Sequence, residues 1–414
     1  MHASTLSILR CSFCGGRLSV VDGPSVERNG DDIAAGVLSC ECCAYPIVAG
    51  IPVMVADRLT ETAMHQLEAG QADDALFTLL RLDGPRQDEF RRFVVRGDST
   101  TYREGVDILG RHEEGVYFLY RFSDPTYLVA QTVLRAVGRN RPCVAGRTLD
   151  LCGGSGHLTR ELCQMAVGAA TVLADSHFWK IWLAKRFTAP SCEPICCDAN
   201  SPLPFAGDTF SLVVCSDAFH YIWCKRLLAG DMRRVAGPDG TVVLTHLHSA
   251  LGENVNAGMP LTPDGYRNLF EERAPRLFKD SDLLSDVIGR GAIDLGRIEP
   301  LEALCQEPSL TLIAGPHEEL FRRYDRPELR RAISGELVVN PLYTIESRGT
   351  ASVLTRAFPS PDYEEEYAAC KRYLPATVTV EGTVSGRRGV EISAGDRADL
   401  EQHLVLIDVP KNYC

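Results

Sequence analysis

TLDLCGGSGHLTRELC, Thr148 to Cys163, sets an acid and three glycines between an apolar run and a segment with helical spacing. An acid near a strand end, then a glycine-rich turn, then a helix, is how an α/β sheet brings backbone close to a ligand, because a turn without Cβ atoms leaves room for approach. The string is Cys152-Gly153-Gly154-Ser155-Gly156, so the dinucleotide pattern GxGxxG is absent, and there is no phosphate loop with its lysine.

Outward from this turn the chain alternates strand-like and helix-like runs: GRTLDLCG, a helix from Leu158, ATVLADS, a helix through FWKIWLAKRF, then PICCDA, FSLVVCSDA and GTVVLTHL. Short apolar runs separated by helices predict a parallel sheet covered on both faces, a doubly wound α/β fold. Ligands of such sheets sit beyond the carboxyl ends of the strands, where Asp150 to Gly156, Asp175, Asp198 and Asp217 to His220 all fall. Asp175 follows Gly156 by 19 residues, the spacing of an acid that accepts from ribose hydroxyls.

Taken together, the acid, the glycine turn, the second acid and CCDANSPLPFAGDTFSLVV resemble the class I S-adenosylmethionine-dependent methyltransferases, over roughly residues 144–249 and more loosely to 358. The resemblance implies a Rossmann-like sheet and an enzyme with S-adenosylmethionine as cofactor. It also implies that Asp150, Gly154 and Gly156 shape the methionine pocket, that Asp175 binds the ribose and that Asp198 with Ala199 contacts adenine. Asp217 to His220 would line the reaction side. Cys152 departs from the family by replacing the first glycine of the turn, and Ser211 stands where Phe-Asp is usual.

Near the N-terminus, Cys11 and Cys14 precede Cys40 and Cys43, two CxxC knuckles with 25 residues between them. This spacing predicts one tetrahedral Zn2+ held by four thiolates, a closed and therefore structural site. Cys42 is an alternative to Cys43, with CxxC geometry favouring the outer pair. Fewer than sixty residues hold too little core to fold alone, so the metal would supply the missing stability. The stretch Cys11 to Val55, through its cysteines and YPIVAGIPVMV, resembles the zinc-ribbon activators of tRNA and protein methyltransferases and the ribbons that begin some rRNA guanine methyltransferases.

The expected organisation is a zinc ribbon over 1–57, a helical lid over 58–142, the S-adenosylmethionine domain over 143–358 with a substrate-region insertion at about 250–335, and an extension over 359–414. The hairpin LVVNPLYTIESRGTASVLTRAF, turning at Arg348-Gly349, is expected to close the sheet. Within it, NPLY imitates the Asn-Pro-Pro-Tyr motif of amino-group methyltransferases, but that motif follows the fourth strand, which here leads into SDAFHY. In the lid, Tyr117, Tyr120 and Arg121 are candidates to face the cofactor or substrate.

A net charge of −12 opposes attraction to phosphate backbones, and residues 1–57 carry three arginines against six acids, so nucleic acid is not the expected partner. No run reaches eighteen uncharged apolar residues and MHASTLSILRCSFC lacks an apolar signal core, which predicts a cytoplasmic protein without a membrane partner. The expected activity is methyl transfer to an oxygen, nitrogen or carbon of a small molecule, plausibly in specialised (natural-product) biosynthesis. Two alternatives compete with it: an RNA or protein methyltransferase that uses the ribbon for recognition, and an S-adenosylmethionine-binding cyclase or partner protein without methyl transfer. A base near the methyl group would suit a hydroxyl or ammonium acceptor. His246 and His220 are the candidates, with His248 behind them; His246 and His248, at i and i+2 on one strand face, are also a possible metal pair. The oligomeric state is left open.

Overall fold

A computed structural model describes the chain except residues 24–25, 111–114, 167, 257, 382–383, 386, 388 and 391–393. Its centre is a seven-stranded sheet: β1 (Arg147–Leu151), β2 (Thr171–Asp175), β3 (Glu193–Cys196), β4 (Phe210–Ser216), β5 (Thr241–His248), β6 (Arg276–Lys279) and β7 (Ser309–Ala314). The order across the sheet is β3-β2-β1-β4-β5-β7-β6. β1 to β5 run parallel, while β7 is antiparallel to both β5 and β6. This is a Rossmann-like α/β fold.

The apolar runs become these strands because both faces of the sheet are buried. Leu173, Leu212, Val214 and Val243 face one core, with the helices Pro125–Val137 and His157–Met165. The alternate residues Val172, Ala174, Val213 and Leu244 face the other, with the helix Lys225–Ala236. The register places Asp175 beside Cys196 and Ser216 beside Thr245, so the carboxyl ends of the parallel strands share one rim.

The sheet closes differently from the expected hairpin. Its last two strands, β6 and β7, lie inside 250–335, and this region is therefore part of the sheet and not an insertion beside it. Every residue of SLTLIA in β7 is buried, as a strand covered on both faces requires. YTIESR, by contrast, leaves its last three residues exposed and pairs in a separate three-stranded sheet with Ala351–Arg356 and Thr377–Glu381. Glu336–Val339 pairs instead with Leu406–Val409.

The N-terminal unit is built on antiparallel strands, chiefly Asp32–Ser39 and Ala44–Val48. It docks along β3, the open edge of the sheet. Val53 runs parallel to Cys196, and the Met54 amide donates to the Cys196 carbonyl at 2.7 Å. The Arg10 amide donates to the Pro204 carbonyl at 2.9 Å, and Ile8, Leu9, Leu38, Ile47 and Met54 join one of the two sheet cores. An edge whose backbone groups would otherwise invite intermolecular pairing is thereby covered.

The described residues of 58–142 are largely helical, as the periodicity predicts. Asp57 caps the first helix through the Thr60 amide at 2.8 Å, and Thr101 with Glu104 forms a capping box on Tyr102–Leu109. Among the described residues no helix is long and apolar enough to cross a membrane.

Candidate active site

Beyond β1 the chain turns through Cys152 (φ +57°), Gly154 (+55°) and Gly156 (+81°), all left-handed. A Cβ on Gly153 would lie 2.6 Å from the Asp150 carboxylate and 2.5 Å from Leu173; one on Gly156 would lie 2.8 Å from the Cβ of Ala184. Glycine is therefore required at 153 by space and at 156 by both space and backbone. Cys152 adopts the left-handed conformation at a cost of about 1 kcal/mol.

The loop is tied to the acid of the next strand. Asp175 accepts from the Gly154 amide and from the His177 amide, each at 2.9 Å. Burial works to raise the Asp175 pKa, but the His177 hydrogen bond and the Lys180 charge outweigh it and keep the pKa below the usual carboxylate value. Asp150 lies beneath the loop at 1% exposure, accepting from the Thr159 hydroxyl at 2.6 Å. Burial there dominates and pushes its pKa up to about 7. Asp198 is oriented by the Asn200 amide at 2.8 Å, and Ala199 is buried beside it.

These residues line a cavity of about 690 Å³ that also takes in Tyr117, Arg121, Lys180, Asp217, Glu366 and Tyr367. Of the candidates read from sequence, Asp150, Gly154, Asp175, Asp198, Ala199 and Asp217 come together on this cavity, and Gly156 closes the turn behind it. Tyr117 and Arg121 reach the cavity, whereas Tyr120 packs against Tyr363, ring centroids 5.5 Å apart.

On the reaction side Asp217 (φ +54°) accepts from the Tyr117 hydroxyl and from Arg121, both at 3.1 Å. Arg121 is itself anchored by Asp124 at 3.0 Å. His246 Nε2 stands 3.9 Å from Asp217 Oδ1 and 3.3 Å from His248 Nε2, while its Nδ1 lies 3.2 Å from Asp280 Oδ2. The pairing of β5 with β7 slips between Leu244 and Leu247, and this irregularity with the left-handed His246 (φ +53°) sets the two rings edge to face. His220 is fully buried, its ring stacked on His248 with centroids 3.7 Å apart. Desolvation and the neighbouring His248 lower its pKa to about 3, so it stays neutral. Neither it nor His246 nor His248 lines the cavity; of this group only Asp217 does.

Four contributors were not legible in the sequence. Asp280 begins a helix after β6, where nothing local marks it as a partner of His246. Glu366 and Tyr367 reach the cavity from the extension after residue 358, to which the sequence assigns no function, and Tyr367 stacks on Tyr117 at 5.9 Å. Tyr413, also in that extension, stacks on Tyr102 at 4.7 Å and bonds His157 Nε2 at 2.9 Å, so the extension supports the glycine turn from behind.

A second cluster lies in the N-terminal unit. The sulfurs of Cys11, Cys14, Cys40 and Cys42 all lie within 4.8 Å of one another, a set compatible with a zinc ribbon. Cys42, placed 3.6 Å from Cys11 and 3.5 Å from Cys40, takes the position expected for Cys43. Cys43 lies next to it at 3.5 Å, outside the group of four. Ser39 and Ala44 are paired strand residues, so the knuckle is a four-residue connection in which the exposed Cys42 joins Cys40 while Cys43 packs against the sheet core.

Residues 148–240 match the family described as methyltransferase domain. The chain is an enzyme carrying this domain, and its sheet is the class I kind that uses S-adenosylmethionine. No curated protein matches the chain. Among solved structures it is similar to a Haloferax volcanii complex of the Trm112 methyltransferase activator with a candidate methyltransferase, at 19% identity over 45% of this chain and 90% of that one, TM-score 0.33. It is also similar to an S-adenosylmethionine-dependent methyltransferase from Mesorhizobium loti, at 16% identity over 41% and 90%, TM-score 0.31. A candidate methyltransferase from Bacillus halodurans shares 16% identity over 40% and 90%, TM-score 0.28.

Proposed function

We propose that this chain methylates a small molecule in specialised metabolism, in the cytoplasm, using S-adenosylmethionine, with a structural zinc in the N-terminal unit. The observation that carries the small-molecule reading is the cavity wall. Tyr117 and Arg121 from the lid, with Glu366 and Tyr367 from the extension, stand over the carboxyl rim of the sheet and bound a space of about 690 Å³. That is the size of a cofactor-and-substrate pocket. The net charge of −12 supports the same reading.

The residues present fit the cofactor. A glycine cradle that a Cβ would fill lies beside an acid whose remaining lone pairs can accept from ribose hydroxyls. Asp198 and Ala199 would flank adenine, and Asp150, Gly154 and Gly156 would shape the methionine end. S-adenosylmethionine, when bound, supplies a methyl group already activated by its sulfonium. The chain's own task is then to hold an acceptor in line and to receive its proton. Asp217 faces the acceptor with His246 behind it, Arg121 fixes the Asp217 carboxylate, and His220 is a positioning residue beneath His248.

In the N-terminal unit we assign the zinc to Cys11, Cys14, Cys40 and Cys42; four sulfurs leave no open position. Native mass spectrometry of the purified protein tests both parts. The expected result is one bound zinc together with S-adenosylmethionine or its demethylated product. Failure to bind S-adenosylmethionine even when it is added would remove the functional reading.

A further inference from the structure

Methyl transfer leaves unexplained why His246 and His248, at the end of β5, gather at the Asp217 carboxylate that follows β4. We infer that Asp217, His246 and His248 hold a divalent transition-metal ion at the edge of the cavity, distinct from the cysteine cluster. Their ligand atoms all lie within 4.8 Å of one another. The two Nε2 atoms face each other at 3.3 Å, and two nitrogens on one tetrahedral ion with bonds of about 2.0–2.1 Å stand about 3.4 Å apart.

Each neighbouring group is arranged as a metal site needs. His246 directs Nδ1 to Asp280 Oδ2, and Asp280 Oδ1 in turn accepts from the Thr311 hydroxyl at 2.7 Å. This chain keeps a proton on Nδ1 and turns the Nε2 lone pair toward His248 and Asp217. Arg121 and Tyr117 both bond Asp217 Oδ2, leaving Oδ1 on the His246 side, 3.9 Å from Nε2, a gap that binding a common ion would shorten. His220, fully buried with neither ring nitrogen hydrogen-bonded among the described residues, stacks on His248 and fixes its plane.

Two imidazoles and one carboxylate suit zinc and its first-row neighbours, whereas magnesium and calcium prefer all-oxygen sets. Three protein ligands leave a coordination position open, and Asp217 places it on the cavity. An acceptor with a hydroxyl or thiol would ligate there, releasing its proton to solvent, and wait as the bound anion. The ion itself is inferred from geometry alone; only this acceptor role rests on the methyl-transfer reading.

The test uses the full-length protein, stripped with chelator and titrated with Co2+, whose thiolate charge-transfer bands mark cysteine ligands. The expected result is two Co2+ per chain, one of them without thiolate bands. His248→Ala and Asp217→Asn should lose only the thiolate-free ion while keeping the wild-type circular dichroism. Asp280→Asn, which alters no ligand, should weaken that ion about 10- to 100-fold and covers the case in which the ligand variants do not fold. A wild-type chain whose only Co2+ shows thiolate bands would overturn the inference, as would an unchanged second ion in the folded His248→Ala protein. S-adenosylmethionine affinity measured on the wild type separates the two readings: its absence removes the methyltransferase function, while the Co2+ spectrum still decides the metal.

Discussion

Asp175 is held by the backbone amides of Gly154 and His177, so its carboxylate is oriented before any ligand arrives. Asp175→Ala should keep the fold and weaken S-adenosylmethionine binding by about 2 kcal/mol, roughly 30-fold, read by calorimetry; undiminished affinity would contradict its role. Asp150 behaves in the opposite way. Its pKa of about 7 in the folded chain lies above the unfolded value near 4, so the fold favours the protonated acid. That stabilisation is complete below about pH 4 and is lost as pH rises to about 7, at up to about 1.4 kcal/mol per pH unit. Asp150→Asn should therefore lose less Tm between pH 5 and 8 than the wild type does; equal losses would show that Asp150 titrates elsewhere. The placement of both acids on the cavity was legible in the sequence because it follows from strand-end position. Asp280 was not, because its partner His246 lies 34 residues away and only the sheet closure brings them together.

At the scale of elements, the parallel strands could be read from composition, since a strand buried on both faces has no other way to be written. The closing strands could not be placed by composition alone: YTIESR and SLTLIA are both β-prone, and only the complete burial of the second selects it for the centre. The cysteine knuckle carries a similar lesson. A CxxC spacing favours Cys43, but in the hairpin that pairs Ser39 with Ala44 it is Cys42 that joins the other three sulfurs, while Cys43 packs on the core. Cys42→Ser should therefore release the zinc and lower the Tm of the chain, while Cys43→Ser should retain one zinc per chain by elemental analysis. The reverse pattern would restore Cys43 as the ligand.

For the whole molecule, the N-terminal unit shares its core with the sheet, through Leu9, Leu38, Ile47 and Met54 beside Val172 and Ile195. Chelating its metal should therefore lower the single unfolding transition of the entire chain, measured by calorimetry; an early separate transition with the main one unmoved would show two independent domains. The hydrogen bond from Met54 to Cys196 has one more consequence. A separate protein covering that edge would leave it whenever the solution fell below their Kd, and rival enzymes could draw it away. Carried on the same chain, the covering unit meets the edge at an effective concentration of about a millimolar whatever the dilution, so the joint is neither titrated by competitors nor set by expression level.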